Sequence, residues 1–399
     1  MRLVSLDSPL SSVVVAVIGV GAMGSGIAQI AALAGHEVYL VDAVEGAAAA
    51  ALERLASRLA GLATKGRITL GQAEAAHARL HLARSTADLP ECALVIEAIR
   101  EDLADKRALF AALAQSQPAG TWLASNTSSL DITRIAQGLT HPERVLGLHF
   151  FNPPPLMALV EVIHGRETSE ECLTAASGLM KAWGKTTVRC TSTPGFIVNR
   201  VARPFYGEAQ RMVEAGVADA ATIDWALREM GGFRMGPMEL TDLIGQDVNL
   251  AVGTSVWEQT GYDERYAPTD FQRQLVAEGH LGRKAGRGVF RYDGAGHPLD
   301  AAADRALAAA LTTGPILTNP LGRTLAMLVN EAVDLVARGE ARAEDVDTAM
   351  ELGTNYPQGP IAWGAEIGLD VIAEQLRALD TAFPGGRYRP SPALNSKEK

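Results

Sequence analysis

The feature that most constrains the fold is the stretch VIGVGAMGSGIAQIAALAGHEVYLVD, residues 17–42, where three glycines join an apolar run to a helical run. Gly19 permits a tight turn, Gly21 lets a phosphate group approach the backbone, and Gly24 allows a helix to pack closely on a strand. The positive end of that helix then faces the phosphate. Asp42 ends the next apolar run, where its carboxylate can accept hydrogen bonds from a ribose and repel a ribose phosphate. The pattern predicts a dinucleotide site for NAD rather than NADP, with an ordinary strand–turn–helix connection as the alternative.

Short apolar runs alternate with longer helical runs over the first half of the chain. The apolar runs are VVVAVIGV, EVYLVD, ALVIEAI, TWLAS, RVLGLHF, MALVEVI and TTVRC. Such alternation is typical of a mostly parallel sheet covered by helices. From Thr193 the strand-like runs fade and helical segments dominate. The sequence therefore predicts an α/β domain of the Rossmann type over residues 1–192 and an all-α domain over residues 193–292.

Residues 293–316 are rich in Ala and Gly and poor in large apolar residues, which predicts a linker with one short helix. Beyond this linker the helical domain repeats at a constant offset of 123 residues. The matched pairs are Glu208 and Glu331, Gly216 and Gly339, Asp224 and Asp347, Gly236 and Gly359, and Gly245 and Gly368. This register predicts an internal duplication, with a second all-α domain over residues 317–399.

Composition and net charge exclude several kinds of partner and location. The chain has 399 residues, 47% of them hydrophobic, and a formal net charge of -10. This charge argues against a nucleic-acid partner, which requires a basic face. No run approaches the roughly 20 apolar residues of a membrane span, so we expect no membrane association. Three cysteines without metal-site spacing predict no metal site and a reducing, cytoplasmic location.

A histidine and a glutamate stand in the otherwise apolar stretch GLHFFNPPPLMALVEVI, residues 147–163. A buried carboxylate is costly unless a partner satisfies it, so we expect Glu161 to pair with His149. Histidine titrates in the range useful for a general base, and a carboxylate can orient it and stabilise its charged form. His149 also ends a strand at the carboxyl edge of the sheet, where open α/β folds bind ligands. The pair therefore predicts a catalytic dyad, and a purely structural pair is the alternative.

Four motifs in order carry a resemblance to a known family: ASNTSSL, GLHFFNPPPLMALVEVI, STPGFIVNR and GRKAGRGVFRY. Together they resemble the 3-hydroxyacyl-CoA dehydrogenases, from Val13 to about Pro392. The likeness is greatest to the bacterial 3-hydroxyadipyl-CoA and 3-hydroxybutyryl-CoA dehydrogenases of phenylacetate degradation, which have two helical domains. The resemblance implies NAD-dependent oxidation of the 3-hydroxyl of an L-3-hydroxyacyl-CoA thioester to 3-oxoacyl-CoA, with His149 as base.

The resemblance also implies roles for further residues. Ser128 and Asn199 correspond to substrate ligands, with Ser128 also contacting the cofactor. The residues implied at the cofactor are Glu101, Lys106 and Lys284, and those implied at coenzyme A are Arg58 and Lys65. On sequence alone, Glu101, Lys106 and Lys284 are ordinary surface charges, and a solvated helix face is the alternative for Arg58 and Lys65. Ser128 could instead cap a helix, or Ser129 could cap it and leave Ser128 to bind the substrate.

Other readings of the sequence stay open. One is a crystallin-like dehydrogenase of a free hydroxy acid or sugar acid, and another is an NAD-binding structural or sensor protein, which has no need of the His149–Glu161 pair. The chain is too short for a bifunctional hydratase–dehydrogenase. Arg203 lies one helical turn beyond Asn199, and Arg234 stands where relatives usually carry proline. Either arginine could pair the terminal carboxylate of a 3-hydroxyadipyl chain.

The duplication leads to a prediction about packing. Single-copy relatives dimerise through the helical domain, so here the second copy is expected to pack on the first within one chain. The offset of 123 places Gly322 opposite Asn199, which indicates that the second copy is structural. Further association between chains stays open.

Overall fold

The structure is a computed structural model that describes residues 13–395. The chain divides into two units between Thr193 and Pro194. The N-terminal unit is an α/β unit, and the C-terminal unit is helical. The predicted fold class, a mostly parallel sheet of the Rossmann type followed by helices, is confirmed.

The N-terminal unit is built on one eight-stranded sheet in the order β3-β2-β1-β4-β5-β6-β7-β8. All neighbouring strands pair in parallel except β6 and β7, which are antiparallel. The strands are β1 (Val14–Ile18), β2 (Glu37–Val41), β3 (Leu80–Leu82), β4 (Leu94–Glu97), β5 (Trp122–Ser125), β6 (Val145–Phe150), β7 (Leu159–His164) and β8 (Thr186–Thr191). Each predicted apolar run forms a strand, and β3 is an additional short strand.

Six helices accompany this sheet: α1 (Ala22–Leu33), α2 (Ala47–Thr64), α3 (Leu70–Ala78), α4 (Leu103–Ser116), α5 (Ile132–Ala136) and α6 (Glu170–Ala182). The hydrophobic core joins apolar side chains of β1, β2 and β6 to those of α1, α2 and α6. Nearly continuous apolar strands such as β6, which is buried along its whole length, are expected where helices cover both faces of a sheet.

The C-terminal unit contains the remaining helices. They are α7 (Val198–Val201), α8 (Arg203–Glu214), α9 (Ala220–Trp225), α10 (Pro237–Ile244), α11 (Gln246–Gln259), α12 (Asp270–Ala277), α13 (Arg305–Thr312), α14 (Pro320–Ala337), α15 (Ala343–Thr354), α16 (Pro360–Ile367) and α17 (Leu369–Ala382). α13 is the short helix within the segment expected to be a linker. The long helix α14 is buried along most of its length and packs against α8, α16 and α17.

Contacts within this unit repeat at the sequence offset of 123. Glu208 on α8 accepts a hydrogen bond from Arg323 on α14 at 2.9 Å, and Glu331 on α14 accepts one from Arg200 on α7 at 2.5 Å. Both carboxylates are fully buried. Each also contacts an arginine and a tyrosine that are adjacent in sequence, Arg387 and Tyr388 at Glu208 and, at an offset of 122, Arg265 and Tyr266 at Glu331. The two clusters are reciprocal, as in the isologous interface of a symmetric dimer.

Candidate active site

Several strands of the N-terminal unit deliver polar groups to one edge of the sheet. The parallel strands β1, β4, β5 and β6 end at this edge, and the antiparallel strand β7 begins there. Open α/β folds bind ligands outside the carboxyl ends of their strands, at the point where strand order reverses. In this sheet that point lies between β1 and β4.

His149 and Glu161 lie directly opposite each other on β6 and β7. The Nδ1 atom of His149 is 2.6 Å from Oε2 of Glu161. The side chain of Glu161 is fully buried and that of His149 is 7% exposed. A short contact in a water-poor site strengthens the interaction between a carboxylate and an imidazolium. The structure brings the two residues together as expected from the sequence.

Asn126 supports the same region and was missed by the sequence analysis. It directly follows β5, and its Oδ1 accepts a hydrogen bond from the backbone N–H of Phe150 at 3.0 Å. Its own N–H donates to the carbonyl of Glu97 at 2.8 Å. Asn126 therefore fixes the end of β6 next to His149. Its position after a strand in ASNTSSL was the available signal.

The glycine turn has the geometry that a pyrophosphate requires. Gly19 has a φ of +90°, and a Cβ at Gly24 would lie 1.8 Å from the carbonyl oxygen of Gly19. Only glycine permits this approach of helix to strand. A Cβ at Gly21 would have no atom within 4 Å, so space remains beside the backbone there. These residues fit the phosphates of a dinucleotide at the start of α1.

Asp42 lies beside this turn at the end of β2. Its Oδ2 accepts a hydrogen bond from the N–H of Val20 at 2.9 Å, and its Oδ1 accepts one from Val44, also at 2.9 Å. The carboxylate is therefore fixed in orientation, and each oxygen keeps a second lone pair for a ribose hydroxyl. Asp42 thus ties the glycine turn to the end of β2.

Lys106 is buried, which corrects the expectation that it could be an ordinary surface charge. Its side chain is 1% exposed, and its Nζ lies 2.6 Å from Oε1 of Glu97 and 3.2 Å from Oε2 of Glu101. Glu97 ends β4, is fully buried, and accepts a hydrogen bond from Oγ of Ser125 at 2.6 Å. Glu97 was missed, although it stands in the apolar run ALVIEAI as Glu161 does in MALVEVI.

Glu101 holds the loop that contains Ser128. Its Oε1 accepts hydrogen bonds from the Thr127 hydroxyl at 2.5 Å and from the backbone N–H groups of Ser128 and Ser129 at 3.0 and 3.2 Å. Burial opposes ionisation of Glu101, but the Lys106 ammonium and these hydrogen bonds keep its pKa below the usual range. The carboxylate therefore stays charged and orders the loop.

Neither Ser128 nor Ser129 caps the helix that follows. The N-cap of α5 is Asp131, whose side chain accepts a hydrogen bond from the N–H of Thr133. The capping alternatives for both serines were wrong, because Asp131 lies closer to the helix start and is as good a cap as serine.

Four other predicted site residues make none of the contacts described above. Arg58 is exposed on α2 and Lys65 is exposed just after its end. In the C-terminal unit, Asn199 lies in α7, where its carbonyl accepts a hydrogen bond from Nε of Arg203 at 2.8 Å. Lys284 is exposed in a short turn of helix, Arg283–Ala285. The roles of these four residues stay predictions.

Comparison with protein-family models decides the family. The model of the 3-hydroxyacyl-CoA dehydrogenase NAD-binding domain matches residues 14–193, and the model of the C-terminal domain matches residues 195–292 and 321–398. The chain belongs to the 3-hydroxyacyl-CoA dehydrogenase family. It is an NAD-dependent 3-hydroxyacyl-CoA dehydrogenase, so the predicted cofactor and reaction class are confirmed.

Individual members of the family are similar over most of the chain. A 3-hydroxyadipyl-CoA dehydrogenase of Escherichia coli is 40% identical, over 96% of this chain and 97% of its own. A probable 3-hydroxybutyryl-CoA dehydrogenase of Bacillus subtilis is 42% identical, over 69% of this chain and 96% of its own. The crystal structure of a 3-hydroxybutyryl-CoA dehydrogenase of E. coli superposes with a TM-score of 0.87 at 40% identity, covering 96% and 98% of the two chains.

Residues 13–395 contain neither a candidate metal site nor a candidate membrane span. No cluster of His, Cys, Asp and Glu side chains there is arranged to hold a metal ion. None of the helices in the same range combines the length and apolar character that a membrane span needs.

Proposed function

We propose that His149 is the general base of this 3-hydroxyacyl-CoA dehydrogenase and that Glu161 orients it. The observation that carries the proposal is the 2.6 Å contact between Nδ1 of His149 and a fully buried carboxylate. With Nδ1 held by Glu161, Nε2 is the ring nitrogen that takes the proton of the substrate 3-hydroxyl. Glu161 then stabilises the imidazolium, which makes the proton transfer less costly.

NAD supplies the acceptor for the hydride that leaves the 3-carbon. We assign its pyrophosphate to Gly19, Gly21 and Gly24 and its adenosine ribose to Asp42. Glu101 and Lys106 position the loop that contains Ser128, whose hydroxyl contacts substrate and cofactor.

Four further assignments rest on the family resemblance. Asn199 is a substrate ligand, and Lys284 contacts the cofactor. Arg58 and Lys65 bind the phosphates of coenzyme A; Arg58 is exposed on α2 and Lys65 is exposed just after its end, and such contacts require accessible cations.

We also propose an architecture of four segments: 1–192, 193–292, a linker 293–316, and 317–399. The second helical copy packs on the first within one chain. The reciprocal pairs Arg323–Glu208 and Arg200–Glu331 support this, because equivalent residues exchange equivalent contacts.

For the location we propose the cytoplasm. The three cysteines are free and buried, which agrees with a reducing compartment.

A chain cut after Asp293 tests this architecture. It removes Arg323, Arg387 and Tyr388 and leaves Glu208 without the three side chains that hydrogen-bond to it. We expect the shortened chain to be insoluble or to dimerise, as measured by light scattering beside the full chain. A soluble, monomeric shortened chain with unchanged stability would contradict the proposal.

For the substrate we propose a 3-hydroxyacyl-CoA with a carboxylate at the far end of its chain, as in 3-hydroxyadipyl-CoA. Arg234 lines a cavity of about 250 Å³ whose other walls are mostly apolar, among them Phe205, Phe233, Leu240 and Leu243. Its Nη1 lies 3.4 Å from Oδ1 of Asn355, and the side chain is exposed. An apolar cavity with one arginine suits a short hydrocarbon chain that ends in a carboxylate. Arg203, the other candidate, lines a separate and smaller cavity.

NADH formation from a panel of substrates tests the proposal. The panel contains 3-hydroxybutyryl-CoA, 3-hydroxyadipyl-CoA, a medium-chain 3-hydroxyacyl-CoA and the corresponding free acids. Activity with thioesters and none with free acids is expected; activity with the free acids would favour a crystallin-like dehydrogenase. Arg234→Gln should lower kcat/KM for 3-hydroxyadipyl-CoA more than for 3-hydroxybutyryl-CoA, whereas the control Arg305→Gln, at an exposed arginine of the same unit, should change neither. Equal losses on both thioesters would reject the role of Arg234 and leave the reaction class intact.

A further inference from the structure

A second cavity, of about 30 Å³, lies inside the C-terminal unit between α8, α11 and the segment that precedes α12. Its lining includes three arginines, Arg203, Arg265 and Arg387, and three amides, Gln210, Asn249 and Gln272. Gln210 is 2% exposed, Asn249 is 3% exposed and Arg265 is 4% exposed. The site is thus built from buried polar side chains, which proteins rarely leave without hydrogen-bond partners.

Donors in this lining lack acceptors. Within residues 13–395, Nε2 of Gln210, Nδ2 of Asn249 and Nε of Arg265 have no hydrogen-bond partner. The amide oxygens are occupied, because Gln210 accepts from the Thr269 hydroxyl at 2.6 Å and Asn249 accepts from Gln272 at 3.1 Å. Exchanging the oxygen and nitrogen of Asn249 would set its Nδ2 against the donor Nε2 of Gln272 and break that bond. The unmet need is for an acceptor.

The charges of the cavity lining also favour an anionic ligand. Arg265 and Arg387 are balanced by the carboxylates Glu331 and Glu208. Arg203 has no carboxylate among its electrostatic partners in the described residues, which are Tyr206 and Tyr356. Its guanidinium donates to the carbonyls of Asn199 and Asn249 and lies 5.0 Å from the centre of the Tyr206 ring. A largely buried positive charge is left without a counter-ion.

We propose that this cavity binds a monovalent anion of halide size, chloride in the cell. An anion accepts hydrogen bonds from unpaired donors of the lining and neutralises Arg203, whereas a water molecule supplies acceptors but no charge. The volume limits the ligand, since a cavity needs roughly 10–15 Å³ to hold one water. The site has room for one or two atoms of that size, too little for a phosphate or an acyl chain.

The anion fixes the turn that carries Asn199. Arg203 bonds the carbonyl of Asn199 through Nε and the carbonyl of Asn249 through Nη1, so its side chain links α7 to α11. A bound anion holds Arg203 in this position by charge as well as by hydrogen bonds. This role of the anion is structural and is independent of which acyl-CoA the enzyme oxidises.

Two measurements on the full-length protein test the proposal. Crystals grown in sodium bromide should show an anomalous peak in the cavity within hydrogen-bond distance of Arg203, Gln210 and Asn249. In solution, raising chloride from about 1 to 100 mM, with gluconate keeping ionic strength constant, should raise Tm by roughly 2–4 °C. Gln210→Leu removes one donor without removing a charge and should abolish this rise. The exposed control Arg305→Gln should keep it.

The outcomes are distinct. An empty or water-filled cavity in the bromide crystals would overturn the proposal even if Gln210→Leu failed to fold. A Tm that rises equally with chloride and gluconate would also overturn it, because general ionic screening would then explain the effect.

Discussion

At the scale of single residues, the sheet edge contains two buried acids, one paired with a histidine and the other with a lysine. Glu161 pairs with His149, and Glu97 pairs with Lys106. An acid in an apolar run is a signal that the sequence carries, and it predicted the first pair. The same signal marks Glu97, but the sequence does not show that Lys106, nine residues later, turns inward to meet it. The partner depends on how α4 packs, which is a tertiary effect.

Asp42 is the residue whose role can be tested without touching the chemistry. Asp42→Ala removes the carboxylate that repels a ribose phosphate, so the ratio of NADP to NAD affinity should rise by roughly tenfold or more. The loss of the hydrogen bonds to Val20 and Val44 should also weaken NAD binding. Glu53→Ala, an exposed acid on α2, is the control. Nucleotide titrations give the dissociation constants for NAD and NADP. An unchanged ratio of the two constants would show that Asp42 does not contact the ribose.

At the scale of elements, one pair of repeated glycines, Gly236 and Gly359, has a common cause. Asp224 accepts hydrogen bonds from the N–H groups of Met238 and Glu239 at the start of α10, and Asp347 does the same for Ile361 and Ala362 at the start of α16. A Cβ at Gly236 would lie 2.2 Å from Cγ of Asp224. The sequence showed the matched pairs but not their reason, because the capping acid lies on the preceding helix.

Loss of either capping acid should therefore cost similar stability. Asp224→Ala and Asp347→Ala each leave two backbone N–H groups at a helix start without their acceptor, and each should lower the free energy of unfolding by about 1–3 kcal/mol. Glu351→Ala, an exposed acid on α15, should change it by less than about 0.5 kcal/mol. Urea unfolding measures all three variants. A negligible loss in both aspartate variants would show that water replaces the caps.

At the scale of the whole molecule, alternating apolar and helical runs were enough to predict the sheet and the helical half. β3 was not predicted, because it is only three residues long and lies at the edge of the sheet. The ion clusters around Glu208 and Glu331 were not predicted either, because their members lie up to 180 residues apart along the chain. Such contacts are set by packing rather than by local sequence.

The Glu208 cluster makes stability depend on pH in a defined direction. Burial opposes ionisation, but Arg387 and Arg323 hold the pKa of Glu208 at about 2, below its ordinary value of 4.5. A lowered pKa gives stability that is present above pH 4.5 and is lost as the pH falls toward 2. Glu208→Gln should lower the free energy of unfolding at pH 7 by about 3–5 kcal/mol and lose less on acidification to pH 4 than the wild type does. Equal pH dependence in urea unfolding would contradict this assignment.

The central claim is that the His149–Glu161 pair performs the proton transfer, and turnover of His149→Gln tests it most directly. NADH formation from 3-hydroxybutyryl-CoA at saturating NAD should fall by a factor on the order of a hundred or more, because general-base catalysis is lost. NAD affinity and the unfolding midpoint should stay near wild type, and His164→Gln, at the far end of β7, should retain turnover. Near-normal turnover of a folded His149→Gln enzyme would contradict the account.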